Sequence, residues 1–141
     1  METIKQDDRV SCVACVAAMA TGTTVEEFRK FIGDKDPPYS DSDCYKFMLT
    51  HGYAVGIGFE NEDHATIWPF DKLVIEFEAK KFPAYLVVES MRFKGADHAI
   101  YWDGEKVHDP NPDLKENGLP LQFYRIKSWF PIVKLVKKER P

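Results

Sequence analysis

Cys12 to Ala20 is a run of nine residues without a charge and with no polar group beyond two thiols. Ser11 in front of it is a residue type that caps helices, and Thr21-Gly22 behind it ends in a residue able to take the left-handed conformation. A helix that is apolar on every side has no face to turn toward water, so it has to be enclosed by the rest of the chain. Whatever fold this sequence adopts is therefore built around a buried central helix. The run is well short of the roughly 20 apolar residues that span a bilayer. The opening METIKQDDRV is too acidic for a secretory signal. These features predict a soluble, cytoplasmic protein with no membrane insertion.

The rest of the composition narrows the function. A length of 141 residues suits one compact domain spanning 1–141, and 44% apolar with 30% charged residues excludes intrinsic disorder. Lys and Arg number 19 against 23 Asp and Glu, for a net charge of −4, so there is no overall positive field to attract nucleic acid. The basic stretch Lys134 to Arg140 reads as a solvated strand end and terminus. Three cysteines, Cys12, Cys15 and Cys44, cannot all pair internally, which suits a reducing compartment.

Local punctuation predicts helices first and strands after. Thr24-Val-Glu-Glu27 has the form of a capping box for a second helix, which carries Phe28 and Ile32 on one stripe and stops at Gly33. A third helix starts near Ser40, presents Cys44, Phe47, Met48 and His51, and stops at Gly52. From Tyr53 the period shortens. Tyr53 to Phe59 reads as a strand in which Gly56 and Gly58 signal a close backbone approach. Leu73 to Lys81 fits a strand by the alternation Val74-Ile75-Glu76-Phe77 and also a helical stripe through Leu73 and Phe77, with the strand preferred; Pro83 to Val88 and Ile132 to Val136 read as strands. His98 to Asp109 holds two strands around Asp103-Gly104, a dipeptide favoured in two-residue type I′ turns. The expected class is α+β, with an antiparallel sheet.

That turn has a geometric consequence. A two-residue loop sets Trp102 opposite Glu105, Ile100 opposite Val107 and His98 opposite Asp109, with the last pair's Cβ atoms about 5 Å apart. The carboxylate can then hold one imidazole nitrogen, and His108 falls on the other face. Cys12, first in its helix, faces unsatisfied amides and the positive end of the helix dipole, both of which favour a thiolate. Cys15 lies one turn deeper and reads as structural. An attacking group, a base and an orienting partner are thus available in Cys12, His98 and Asp109. Gln6, six residues before Cys12, can turn its side-chain amide toward the helix start and make an oxyanion hole with the Cys12 backbone N–H.

Cys12-Val-Ala-Cys15 is also a C-x-x-C, and a zinc site there requires two more ligands, for which Cys44 with His51 is the obvious source. The spacing differs from that of zinc knuckles, and neither metal nor cofactor is expected. Trp102 is expected in the core, and His51 and His64 are assigned no role.

With these residues in view the sequence resembles the papain-like fold, and most closely the C39-like cysteine peptidases, known for removing double-glycine leader peptides. Gln6 and Cys12 resemble the family's oxyanion glutamine and nucleophile, and Ala17-Ala18-Met19 its small-residue central helix. Pro83-Ala-Tyr-Leu-Val-Val88 is similar to the strand before the catalytic histidine. His98-Ala-Ile-Tyr-Trp102 and Asp109-Pro110 are similar to the histidine strand and the closing Asp-Pro. Ser11 and Val13 stand where the family has an acidic residue and a glycine. The resemblance implies N-terminal helices, with a central buried helix packed on an antiparallel sheet. It further implies a thiol hydrolase acting on a peptide or protein substrate, with Cys12 attacking, His98 moving the proton, Asp109 orienting His98 and Gln6 stabilising the oxyanion. The alternative is a catalytically silent papain-fold module that acts by protein–protein interaction.

Overall fold

The first helix, α1 (Cys12–Thr21), buries every residue from Val13 to Ala20 and ends at Gly22 with φ +69°. The computed structural model describes residues 1–8, 10–56, 58–60, 68–69 and 79–136. The start of α1 is capped differently from the expectation. Ser11 occupies the N-cap position without capping through its side chain; its hydroxyl instead donates to Asp8 Oδ2 at 2.6 Å. Asp8 Oδ1 accepts the N–H groups of Val10 at 2.9 Å and Ser11 at 2.8 Å. A carboxylate has more acceptor sites than a hydroxyl and adds negative charge at the positive helix end, so the cap moves upstream.

In α2 (Val25–Ile32) the Thr24 side chain accepts from Glu27 N at 3.1 Å, the forward half of the expected box. The reciprocal box belongs to α3 (Asp41–Thr50), where Ser40 Oγ accepts from Asp43 N and Asp43 Oδ2 accepts from Ser40 N. Phe28 is fully enclosed and meets Tyr39 and Phe47 edge-on, with ring centroids 5.0 and 5.2 Å apart, which locks α2 to α3.

The strands are β1 (Tyr53–Val55), β2 (Phe59–Glu60), β3 (Trp68–Pro69), β4 (Ala84–Glu89), β5 (Asp97–Trp102), β6 (Val107–His108) and β7 (Arg125–Lys134). They pair antiparallel in the order β1-β7-β4-β5-β6, and β2 and β3 also lie against β7. The segment expected as one strand from Tyr53 to Phe59 is interrupted between β1 and β2. A Cβ at Gly58 would lie 1.8 Å from the Trp129 carbonyl oxygen, so the close approach expected of this glycine is present. Most of the strand expected at Leu73 to Lys81 lies outside the described residues, and Ala79–Lys81 form a short 3₁₀ turn.

The last strand begins at Arg125, seven residues earlier than expected. Lys127, Ser128 and Pro131 mask its periodicity, while its two faces enter different cores. Toward α1, Tyr85, Ala99, Tyr101 and Ile132 pack with the apolar helix. On the opposite face Leu86, Val88, Ile100, Ile126 and Trp129 form a second cluster, with Trp102 packed against it. Trp102 is half-buried at the edge of this cluster, and its indole N–H donates to the Lys80 carbonyl at 2.8 Å. The result is mixed helix and antiparallel sheet, with the buried helix on one sheet face. No described helix is long and apolar enough to cross a membrane.

The register of the β5–β6 hairpin corrects the expected one. Tyr101 pairs with His108 and Trp102 with Val107, so the connection is the four residues Asp103 to Lys106. His98 and Asp109 are therefore not ladder partners, and Glu105 does not face Trp102. The cause is the Asp103 side chain. Its Oδ1 accepts from both Glu105 N and Lys106 N at 2.7 Å, while Oδ2 takes a hydrogen bond from His108 Nε2 at 2.7 Å. An aspartate that closes the turn with its own carboxylate removes the need for a two-residue backbone turn.

Candidate active site

Of the three cysteines only Cys12 has a partly open side; Cys15 and Cys44 are buried. Burial pushes the Cys15 thiol up to about 12, and burial likewise raises Cys44 well above its ordinary value. The Cys44 S–H points to Met48 Sδ at 3.6 Å, and His51 Nδ1–H donates to the Phe47 carbonyl at 2.9 Å. Among the described residues no three His, Cys, Asp or Glu side chains are placed to share a metal ion, so the C-x-x-C pair gains no further ligands.

His98 is the second residue of β5 and pairs with Val88 of β4. Asp109 follows directly after β6, where its backbone N–H donates to the Asn117 carbonyl at 2.7 Å and turns the chain back. That turn brings the two side chains together with His98 Nε2 2.6 Å from Asp109 Oδ1, although no ladder pairs them. Asp109 is 1% exposed. Its Oδ1 also accepts the Asn111 N–H at 2.9 Å, and its Oδ2 accepts the Tyr124 hydroxyl at 2.7 Å.

Cys12 lies beside His98 on the same cleft, close enough for its side chain to favour the charged imidazole. With Nε2 engaged by Asp109, Nδ1 is the nitrogen left for the thiol. Burial alone works against a charged imidazole, but the Asp109 hydrogen bond and charge, with the neighbouring Cys12 side chain, outweigh it and raise His98 to about 9. Burial likewise opposes the Asp109 charge. The His98 hydrogen bond and charge, with the Asn111 amide and the Tyr124 hydroxyl, win and hold Asp109 below the usual carboxylate range.

Gln6 reaches the same place through the backbone. Its N–H donates to the Pro110 carbonyl at 2.8 Å, and Lys5 Nζ donates to the carbonyls of Asp109, Asn111 and Glu116 at 2.9, 3.2 and 2.7 Å. The N-terminal segment is thereby fastened beside the Asp109 turn. The buried Gln6 side chain donates one Nε2 proton to the Asp8 carbonyl at 2.7 Å, and its Oε1 has no partner among the described residues. Gln6, Cys12 and His98 share a cleft of about 540 Å³ that is also lined by Val13, Tyr39, Tyr85, Val87 and Phe93.

All four residues singled out from sequence thus meet around one cleft and its buried flank. Three that support them were not anticipated: Asp8, Lys5 and Tyr124. Asp8 carries a local signal, a carboxylate three residues before the N-cap Ser11. Lys5 and Tyr124 carry none, because their partners lie in distant sequence or on carbonyls that any residue supplies.

No protein-family profile and no characterised protein sequence matches the chain. A solved structure does. The fold is like that of the peptidase domain of ComA from Streptococcus mutans. The superposition has a TM-score of 0.51 at 12% identity, covering 94% of this chain and 99% of the ComA domain. At that identity the likeness to ComA concerns the path of the chain, and chemistry has to be argued from side chains.

Proposed function

We propose that this protein is a cysteine peptidase of the C39-like, papain-fold type, acting on a peptide or protein substrate in the cytoplasm. The observation that carries the reading is His98, bonded through Nε2 to the buried Asp109 and lining one cleft with Cys12 and Gln6. The likeness of the fold to a peptidase domain supports the same reading.

In this reading the Cys12 proton resides on His98 Nδ1, and the resulting thiolate forms a C–S bond to the scissile carbonyl carbon. The electron pair moves onto the carbonyl oxygen. The Cys12 backbone N–H, one of the orphan donors of a helix start, and the second Nε2 proton of Gln6 stabilise that oxyanion. The imidazolium then gives its proton to the departing amine as the C–N bond breaks. Water, activated by His98, hydrolyses the thioester and regenerates the thiol. Asp109 keeps the ring oriented and stabilises its charged form throughout.

Val13, 7% exposed and lining the cleft beside Cys12, is the feature that favours the alternative of a silent binding module. A peptide vinyl sulfone followed by mass mapping decides between them. The expected result is a single adduct on Cys12 whose formation slows at least roughly 100-fold in His98→Ala, the scale of a lost general base. Labelling at the rate of an ordinary exposed thiol, equal in both proteins, would replace the enzyme with the binding module.

A further inference from the structure

Tyr124 lies between the short 3₁₀ turn Leu121–Phe123 and the first residue of β7, and it is 1% exposed. Its hydroxyl accepts the Leu119 N–H at 3.1 Å and donates to Asp109 Oδ2 at 2.7 Å. A phenol has one proton, and here that proton is committed to the carboxylate. Burial and the neighbouring Asp109 charge push the phenol far above its ordinary value, so it acts as a donor across the whole working range.

Asp109 is held by three donors besides solvent-free packing: the imidazole and the Asn111 N–H on Oδ1, and Tyr124 on Oδ2. We infer that Tyr124 is a positioning residue that fixes the plane of the Asp109 carboxylate and, through it, sets how tightly His98 holds its proton. The inference rests on the peptidase reading for its catalytic meaning, but the coupling itself is a property of four bonded groups. A neutral donor on Oδ2 draws charge away from Oδ1. Without it Oδ1 carries more charge, binds the imidazolium more strongly, and makes His98 a more reluctant donor to the leaving amine.

Tyr124 does not line the 540 Å³ cleft, so a substrate there meets its influence only through Asp109 and His98. The other ionisable groups around His98 have partners of their own. Glu89 and Arg92 border, with Tyr124 and His98, a void of about 10 Å³. Arg92 pairs with Asp113 at 3.1 Å and Glu89 with Arg125 at 3.4 Å. Asp97, next to His98 in the chain, pairs with Lys127. Cys12 remains the facing group on α1. None of these pairs includes Tyr124, whose hydroxyl bonds Asp109 and the Leu119 N–H and not His98.

The test is the ring titration of His98 by NMR with labelled histidine, in the wild type, in Tyr124→Phe, and in protein carrying 3-fluorotyrosine at position 124. Fluorine acidifies the phenol and strengthens its donation without changing its shape. Tyr124→Phe is expected to raise the His98 midpoint by about half a pH unit or more, and fluorotyrosine to lower it. On a cleaved peptide, Tyr124→Phe is expected to reduce kcat about threefold to tenfold, the scale of a weakened general acid, with KM within roughly twofold. Midpoints that move in opposite directions support the coupling whether or not a peptide is cleaved; absence of cleavage then counts against the peptidase reading alone. Identical midpoints in all three proteins, with only a lower melting temperature, overturn the inference and leave Tyr124 a packing residue. If Tyr124→Phe does not fold, the near-isosteric fluorotyrosine protein decides by the same measurement.

Discussion

Cys12, Cys15 and Cys44 are chemically identical in the unfolded chain and diverge through their surroundings. Cys15 and Cys44 are enclosed by apolar neighbours that disfavour a thiolate, while Cys12 has an open side and an imidazole beside it. Iodoacetamide at neutral pH is accordingly expected to modify Cys12 at least roughly tenfold faster than either other cysteine, as read by peptide mapping. Faster labelling of Cys44 would contradict the site. Cys12→Ala is expected to abolish hydrolysis while lowering the unfolding free energy by less than about 1 kcal/mol, because a partly open first-turn side chain contributes little packing. At the same scale, the Asp8 carboxylate engages both the Ser11 amide and its hydroxyl and so places an acidic group at the start of α1.

In the β5–β6 hairpin the expected ladder pairing of His98 with Asp109 is absent, although the two side chains bond. Asp103-Gly104 does mark the turn, and Gly104 has φ +99°, but the aspartate side chain extends the loop and shifts the ladder by two positions. His98 and Asp109 still meet because the chain bends at Asp109-Pro110, outside the ladder. Asp103→Ala removes the acceptor for two backbone N–H groups and one partner of the buried His108, whose Nδ1 keeps Thr3 Oγ1 at 2.7 Å. A loss of about 2 kcal/mol is expected in urea unfolding. Asp103→Asn, which can keep the turn while losing the charge, should fall between the two. Equal midpoints for wild type and Asp103→Ala would show that the backbone alone holds this turn.

For the whole molecule, the site makes stability depend on pH. His98 is raised from 6.5 to about 9, so its contribution is complete below about pH 6.5 and is lost as pH rises through about 9. Asp109 is lowered, so its contribution is present above the ordinary carboxylate value and is lost as acid protonates the folded form. Urea unfolding is expected to show stability falling between about pH 6.5 and pH 9, with His98→Ala flattening that fall. A wild-type curve already flat across this window would mean that His98 gains no proton affinity on folding.

Local chemistry made much of this architecture legible in the chain. A run from Cys12 to Ala20 with no polar face demands enclosure, Ser40 with Asp43 starts a helix wherever it stands, and Gly58 admits a neighbouring backbone. The residue types of the site were legible too, because an attacking thiol, an imidazole and a carboxylate are scarce and their order along the chain is distinctive. What tertiary structure alone decided are the connections made across long separations. Lys5 reaches the Asp109 turn, β7 begins at Arg125 because both its faces find cores, and Tyr124 spends its one proton on Asp109. Propensity and periodicity reflect forces acting within a few residues, whereas these bonds depend on where folding places distant segments, and a carbonyl or a lone phenol carries no pattern that announces its partner.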